Sequence, residues 1–313
     1  MSKKLFIHLL FFAVIFGAVP LNAQKFVPIK GWSKEVNQRI ETFLNSKKHY
    51  EGRKVAVFDC DGTVFGQVPY YLADEALYMY ADENYKGKTD SLSLKKLAIL
   101  NRMVENGDNV SKEYVEDRVH FLSGLTADQI RQIGADCYQK SYKGRIYPEM
   151  KKLIANLKNY GFEVWILTAS PELLYQKFVS EELNIPMLNI VGVKSVIENG
   201  VSSGTVIMPI PQDDGKGYTI ETFIQAKPLI VGGNSRGDLD MLNLSSGLKI
   251  VVNPDNSTIR PKEDGVIAGH TVKTYWEQND GIIVYCKDSV DPGIGYHTEQ
   301  WKIRRNKDTS NPQ

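Results

Sequence analysis

A short apolar run that ends in two carboxylates constrains this chain more than any other feature. Residues 55–59 read VAVFD, and Asp61 follows after one intervening cysteine. The apolar residues predict a short buried strand, and residues i and i+2 of an extended chain face the same side. Two acids at the end of a buried strand are costly without a partner, so we expect Asp59 and Asp61 to reach one reaction centre.

The residues that follow this pair favour a site that holds a cation and a phosphate together. Gly62 lets the chain turn and expose backbone N–H groups, which suit an anion. Thr63 adds a hydroxyl group to the same turn. The alternative interpretation is a plain turn, because Asp61 and Gly62 form a common turn pair.

Strand and helix patterns alternate along the second half of the chain. KKLIANLKNYG (151–161) predicts a helix that stops at glycine, and FEVWILTAS (162–170) predicts a strand. PLIVGGN and LKIVVNP predict two more strands, and Asn199-Gly200 predicts a hairpin turn. Strands separated by helices imply a parallel sheet covered on both faces. The predicted fold class is therefore α/β, with a Rossmann-like three-layer core around a parallel sheet.

The segment 67–144 differs from the rest and predicts an inserted, all-helical cap domain. It is rich in Lys, Glu, Asp and Tyr, and its apolar residues recur at helical spacing. We place the core in residues 24–66 and 145–290. Residues 291–313 form a C-terminal tail whose polar end we expect to be loose.

Polar residues also follow the predicted strand at 162–170. Thr168 and Ala169 precede a helix that Pro171 opens, and a hydroxyl with backbone N–H groups near a helix start can bind phosphate. Ser170 as an ordinary helix cap is the alternative interpretation.

The loop after PLIVGG holds oxygen ligands for a hard cation. Asn234 and Asp238 supply an amide and a carboxylate of the kind that Mg²⁺ prefers, although an Asx-type loop would contain the same residues. Upstream, Lys216 opens a predicted helix and can reach the mouth of the site, or remain a solvated surface charge.

These residues, in this order, resemble the four motifs of the haloacid dehalogenase superfamily of phosphatases. The motifs are DCDGT, the strand-end Thr168, the helix-opening Lys216 and GNSRGD, and the match runs from about residue 54 to residue 252. Phosphoserine-phosphatase-type members are the most similar, because RVHFLSGLTADQI resembles their cap helix and ENGVSSGTV resembles their hairpin. In two places the chain departs from them. Val68 replaces a glutamate, and Asn234 replaces the aspartate that usually begins the last motif.

The resemblance implies an Mg²⁺-dependent phosphatase that acts through an aspartyl-phosphate. Asp59 would attack phosphorus, and Asp61 would protonate the leaving alcohol and then activate water. Mg²⁺ would be bound by the Asp59 side chain, the Asp61 carbonyl oxygen and Asp238, with Asn234 supporting a ligand water. The residues expected to contact the phosphoryl oxygens are Thr63, Thr168, Ala169 and Lys216.

The substrate implied is a small phosphorylated metabolite, such as phosphoserine or an amino-alcohol phosphate. The resemblance places Arg118 against a substrate carboxylate or phosphate, with a salt bridge within the cap as the alternative. Glu75 could pair with an amine, or be an ordinary charge on a helix face. The tyrosines of the segment 67–144 suggest an amine cage, or simply the edges of amphipathic helices. Two other functions stay open, a phosphotransferase or mutase of the same superfamily and an envelope binding protein with weakened turnover.

Residues 1–23 predict an export signal. Lys3 and Lys4 precede the apolar run 5–19, and Ala23 offers a small residue before the cleavage point. The run is shorter than the ~20 residues of a membrane-spanning helix, with an uncleaved anchor as the alternative. We therefore expect an exported protein, in the periplasm or outside the cell, without stable membrane insertion after cleavage.

The net charge and the cysteines bear on nucleic-acid binding, zinc binding and disulfide formation. The formal net charge is +1 over 313 residues, which gives no indication of nucleic-acid binding. The three cysteines show no zinc-type spacing. A disulfide between Cys137 and Cys286 stays open, because export would permit it.

Overall fold

The computed structural model describes residues 25–288 and 290–310, and a seven-stranded sheet organises them. The strands are β1 (Val55–Asp59), β2 (Glu163–Pro171), β3 (Ile190–Glu198), β4 (Val201–Ile207), β5 (Ile230–Gly233), β6 (Leu248–Val252) and β7 (Gly281–Val284). Their order is β4-β3-β2-β1-β5-β6-β7, and all neighbours are parallel except β3 and β4. The predicted α/β fold with a parallel sheet is confirmed.

Helices lie on both faces of this sheet. They are α1 (Lys34–Ser46), α2 (Leu72–Asn84), α3 (Ser91–Asn106), α4 (Lys112–Leu122), α5 (Ala127–Cys137), α6 (Pro148–Asn159), α7 (Glu172–Leu183), α8 (Asp214–Thr219), α9 (Leu239–Asn243), α10 (Val272–Gln278) and α11 (His297–Gln300). Residues 138–142 and 220–224 continue α5 and α8 as π-helical turns.

The alternation of side chains along β1 divides the core into two parts. Ala56 and Phe58 belong to one apolar cluster, which includes residues of α1, α6 and α7. Val55 and Val57 belong to the other cluster, which includes residues of α9 and α10. All four side chains are fully buried, as expected for a parallel strand covered on both faces.

The helical insertion, residues 67–144, contains α2 to α5 and packs against the core through α7. Gly134 of α5 lies so close to the carbonyl group of Leu174 that a Cβ atom would clash with it. The helical content of this segment agrees with the sequence pattern. The domain boundaries stay predictions.

The predicted hairpin is present as β3 and β4. Asn199 and Gly200 form its turn with φ values of 51° and 84°, a conformation that asparagine and glycine tolerate well. Backbone hydrogen bonds join Ser202 of β4 to Gly124 and Leu125, which lie between α4 and α5. The hairpin therefore supports the helical insertion from the core.

The C-terminal region contacts both the sheet and the helical insertion. Strand β7 adds a parallel edge strand beside β6, and α11 docks onto α2. Both carboxylate oxygens of Glu75 accept hydrogen bonds from the backbone N–H groups of His297 and Thr298. Farther along, the backbone N–H of Asn306 donates to the carbonyl oxygen of Pro69 at 2.8 Å.

The structure bears only in part on the predictions that concern export. Residues 1–23, with the predicted signal, lie outside the described residues. Across 25–288 and 290–310, no helix has the length and apolar character needed to cross a bilayer. Cys60, Cys137 and Cys286 are free thiols in buried positions, so the disulfide left open by the sequence is not formed.

Candidate active site

The paired acids lie where β1 ends. Asp59 is the last residue of this strand, and Gly62 follows with a φ of 86°. A Cβ atom at position 62 would clash with the side-chain amide of Asn234 and with Gln67. Glycine is therefore needed here both for the left-handed turn and for the close approach of the loop after β5.

Lys216 connects the first acid with the loop after β5. Its Nζ lies 2.6 Å from Asp59 Oδ1 and 2.6 Å from Asp238 Oδ1. Lysine and both carboxylates are buried, so this is a desolvated cluster of charges rather than a surface ion pair. The convergence predicted for Asp59, Lys216 and Asp238 is present in the structure.

Hydroxyl groups hold the second acid. Tyr175 donates its hydroxyl to Asp61 Oδ1 at 2.9 Å, and Thr168 donates to Asp61 Oδ2 at 3.2 Å. The Thr168 hydroxyl in turn accepts a hydrogen bond from the backbone N–H of Ser170. Thr168 therefore positions Asp61 in this structure, whereas the sequence predicted a contact with phosphate.

Burial dominates the protonation behaviour of both acids. Burial raises the pKa of Asp61 to about 6, against the opposing effect of the Tyr175 and Thr168 hydrogen bonds. Burial first, and the nearby Asp238 carboxylate second, raise the pKa of Asp59, while the contact with the Lys216 ammonium group opposes the shift and favours the ionised carboxylate. Asp61 therefore has the environment of a group that can hold and release a proton near neutral pH.

Two residues that were predicted to contact ligands have protein partners in the structure. Thr63 is fully buried and donates its hydroxyl to Asp59 Oδ2 at 3.0 Å, so it orients the carboxylate instead of contacting phosphate. Asp238 was expected to bind the metal directly. Its Oδ1 faces Lys216, and its Oδ2 accepts hydrogen bonds from the backbone N–H groups of Asn234 and Ser235. Asp238 therefore fixes the lysine and the loop, and its direct contact with a metal stays a prediction.

The charge balance of the cluster fits a divalent cation. Two carboxylates, those of Asp59 and Asp238, contact the ammonium group of Lys216, and the third, that of Asp61, is influenced electrostatically by both Arg118 and Lys216. Among the described residues, no group of three or more His, Cys, Asp or Glu side chains is arranged to hold a metal. Mg²⁺ suits such a site, because it keeps several waters and takes only one or two protein carboxylates.

A cavity of about 370 Å³ opens over this cluster. Residues that the sequence singled out form part of its wall, namely Asp59, Asp61, Arg118, Ala169, Lys216 and Asn234. Further lining residues were not predicted, among them Gln67, Tyr71, Asn109, Ser170, Arg236 and Arg260.

Arg118 reaches the cavity from α4. Its Nε donates to Asp74 Oδ1 at 2.8 Å and its Nη2 donates to the carbonyl oxygen of Asn109, while the guanidinium group stacks 4.9 Å from the ring centroid of Tyr114. The salt bridge keeps Arg118 protonated and raises its pKa. One face of the cavity is therefore cationic, and contact with a substrate anion stays a prediction.

The predicted amine site is not present. Glu75 does not line the cavity. Its carboxylate accepts hydrogen bonds from the backbone N–H groups of His297 and Thr298 and from the Thr298 hydroxyl. Of the tyrosines proposed as an amine cage, only Tyr71 lines the cavity within the described ranges. The others serve the interior or surface of the helical insertion, as the alternative interpretation expected.

Fold and site together define a Rossmann-like α/β protein with a buried carboxylate–lysine centre at the carboxyl edge of its sheet. The family model of haloacid dehalogenase-like hydrolases matches residues 56–243, so the chain belongs to this family. The predicted family and the expectation of an enzyme are thereby confirmed at the level of a hydrolase.

Relatives support the same family at low identity. A phosphoserine phosphatase of Mycobacterium tuberculosis is 21% identical over 140 residues, and a Mycobacterium leprae protein named as a hydrolase has the same identity. The matched region is 43% of this chain and covers 44% and 45% of these relatives, less than half of their length.

Two solved structures share the fold. A protein of unknown function from Bordetella pertussis Tohama I has a TM-score of 0.55 at 12% identity, covering 74% of this chain and 98% of that one. A functionally unknown protein from Anaerococcus prevotii has a TM-score of 0.56 at 15% identity, covering 76% and 92%.

Proposed function

We propose that this protein hydrolyses small phosphomonoesters through a phosphorylated Asp59. The observation that carries the proposal is the position of Lys216 between two buried carboxylates, with Asp61 held beside them by two hydroxyl groups. Phosphoryl transfer needs mainly positioning and charge stabilisation, and a rigid, desolvated cluster of this kind supplies both.

In the first step, an oxygen of Asp59 attacks phosphorus and the ester P–O bond breaks. Thr63 and Lys216 hold the carboxylate in place, which lowers the entropic cost of reaching the reactive geometry. Asp61 gives its proton to the leaving alcohol oxygen, and burial raises its pKa toward neutral pH, so that a fraction of the molecules holds this proton there.

In the second step, Asp61 removes a proton from a water molecule whose oxygen attacks the same phosphorus. The bond between phosphorus and Asp59 breaks, and inorganic phosphate leaves. Lys216 uses two of its three N–H bonds on carboxylates, which leaves one for a phosphoryl oxygen. Backbone N–H groups near Ala169 and Ser170, which line the cavity, are further donors.

Mg²⁺ fits the donor set formed by Asp59, the carbonyl oxygen of Asp61 and Asn234. When bound, the cation would neutralise charge on the phosphoryl oxygens and the nearby carboxylates. The amide of Asn234 carries no charge, so the site depends on Asp59 and Asp61 for its attraction to the metal.

The substrate is proposed to be a small phosphorylated metabolite. The cavity has the volume of a small-molecule site, and Arg118 offers a guanidinium group in its wall. The name of the Mycobacterium tuberculosis relative points to phosphoserine as one candidate. We also propose that residues 1–23 direct the protein out of the cytoplasm.

A substrate panel combined with an intermediate analogue tests this function. The full chain should release phosphate from some of phosphoserine, phosphocholine, phosphoethanolamine and sugar phosphates, and beryllofluoride with Mg²⁺ should block turnover by mimicking the aspartyl-phosphate. Stoichiometric binding of beryllofluoride without any turnover would instead favour the weakened binding protein, for which Asn234 is the supporting feature. Transfer of phosphate to an added alcohol in place of water would indicate the phosphotransferase.

A further inference from the structure

A second cavity of about 290 Å³ adjoins the catalytic cavity. The two cavities share lining residues, among them Gln67, Tyr71, Asn109, Arg236 and Arg260. The outer wall of the second cavity is formed by residues 304–307, within a segment that we call the C-terminal strap (residues 296–308). The sequence indicated no function for this region.

The strap is fixed at both ends to the start of the helical insertion. At one end, Thr298 is bound to the buried Glu75. At the other end, Asn306 donates its side-chain amide to the carbonyl oxygen of Gln67 at 2.6 Å. Gln67 itself lines the catalytic cavity, so the strap is anchored directly beside the reacting groups.

The second cavity carries more cationic than anionic side chains. Its charged lining residues are Arg236, Arg260, Arg304, Arg305 and Lys307, against one carboxylate, Asp255. Asp213, Asp264 and Glu299 lie outside the lining and pair with some of these cations. Arg304 is exposed and has no ion-pair partner in the part of the chain that the structure describes. The cavity therefore keeps an excess of positive charge.

A buried donor lies where the two cavities meet. Asn109 is 4% exposed and lines both of them, and its side-chain nitrogen has no hydrogen-bond partner among the described residues. An amide donor that is buried without a partner is costly, and a bound anion would satisfy it.

We propose that the second cavity, which we call the strap cavity, binds a second anionic group of the substrate, distant from the phosphate that is hydrolysed. This inference rests on the proposed phosphatase function and names its substrate class: phosphomonoesters that also carry a second phosphate or a carboxylate. Guanidinium groups suit both anions because they donate two parallel hydrogen bonds. Arg304, with no ion pair to break, is the group most available to the ligand.

The test compares substrates that differ only at the distant end. Monophosphates, bisphosphates and carboxylate-tailed monophosphates of linear diols of increasing chain length are assayed with the full chain. We expect kcat/KM to be at least about tenfold higher for an anionic tail at the best length, as charge-assisted hydrogen bonds are worth that much. The two anionic tails distinguish a phosphate site from a carboxylate site.

Matched variants locate the effect. Arg304→Gln should lower the preference for anionic tails about tenfold, mainly through KM, and high salt should lower it further. Lys302→Gln removes the same charge from an exposed strap residue that does not line the cavity, and should leave the preference unchanged. Equal rates for charged and neutral tails in the parent protein, or equal effects of the two variants, would overturn the proposal.

A binding measurement separates this proposal from the proposed hydrolysis. Calorimetric titration of an Asp59→Asn protein with the bisphosphate and the monophosphate needs no turnover. The proposal is supported, even where no hydrolysis is detected, if the bisphosphate binds more tightly than the monophosphate and Arg304→Gln removes that difference. Equal affinities for the two ligands contradict it even where the enzyme is active.

Discussion

Lys216 and Asp59 are 157 residues apart in the chain, and their side chains meet at 2.6 Å inside the protein. The contact depends on the parallel sheet, which brings the carboxyl end of β1 beside that of β5, close to α8. Because the ammonium group also contacts Asp238, one lysine neutralises part of a buried cluster that would otherwise be strongly negative.

Removal of this lysine should cost both stability and activity. Lys216→Met leaves Asp59 and Asp238 buried without their cation, and breaking a buried pair in this way costs about 3 kcal/mol or more. We expect urea unfolding to show that loss, with hydrolysis abolished. Lys227→Met, at an exposed position, is the control. Unchanged stability in the Lys216 variant would show that the cluster is not paired as described.

The hydroxyl of Tyr175 should matter to the reaction rate. Tyr175→Phe removes the hydroxyl donor that lies 2.9 Å from Asp61 Oδ1. The hydroxyl of Thr168 is then left to orient the Asp61 carboxylate. We expect kcat to fall about tenfold with little change in KM, because the general acid Asp61 is then less well positioned. Tyr142→Phe removes a buried hydroxyl that donates to the Tyr70 carbonyl, outside the cavity lining. An equal loss of kcat in both variants would mean that Tyr175 acts only through packing.

The amide of Asn234 should limit the affinity for Mg²⁺. Asn234→Asp places a carboxylate beside Asp59 and Asp61, so we expect calorimetric titration to show about tenfold tighter Mg²⁺ binding. Asn243→Asp adds the same charge at an exposed position and serves as the control. If the Asn234 variant bound Mg²⁺ no more tightly than the parent protein, the metal would not lie next to this residue.

The buried carboxylate of Glu75 should hold the C-terminal strap in place. Glu75→Ala removes the acceptor for the N–H groups of His297 and Thr298, so these amides should exchange with solvent much faster. Hydrogen-exchange mass spectrometry over residues 296–308 measures the change. Glu83→Ala, on the exposed side of α2, should leave exchange in the strap as it is. Equal protection in both variants would show that other contacts hold the strap.

The sequence predicted the centre of the site better than its surroundings. Asp59, Asp61 and Asn234 were found because the carboxyl ends of parallel strands meet at one edge, and strand patterns are visible in the sequence. Lys216 was found from its place at the start of a predicted helix and from the family resemblance. Tyr175 gave no comparable signal, since it lies in a helix among apolar residues such as Leu174 and Phe178.

The sequence was least informative for side chains that can contact either a ligand or another part of the protein. Thr63 and Asp238 were assigned to ligands, yet the nearest groups in the folded chain are Asp59 and Lys216. Glu75 was assigned to a substrate amine because its actual partners, His297 and Thr298, lie more than 200 residues away in sequence. Contacts at such separations depend on tertiary packing, which local patterns do not encode.

The central claim is that Asp59 carries the phosphoryl group during turnover. Acid quenching of the working enzyme on a radiolabelled substrate, followed by peptide mass spectrometry, tests it directly. We expect label on the peptide that contains Asp59, and neither label nor hydrolysis in a folded Asp59→Asn variant. Steady turnover in that variant, or label on another residue of the parent enzyme, would show that Asp59 is not the phosphorylated residue.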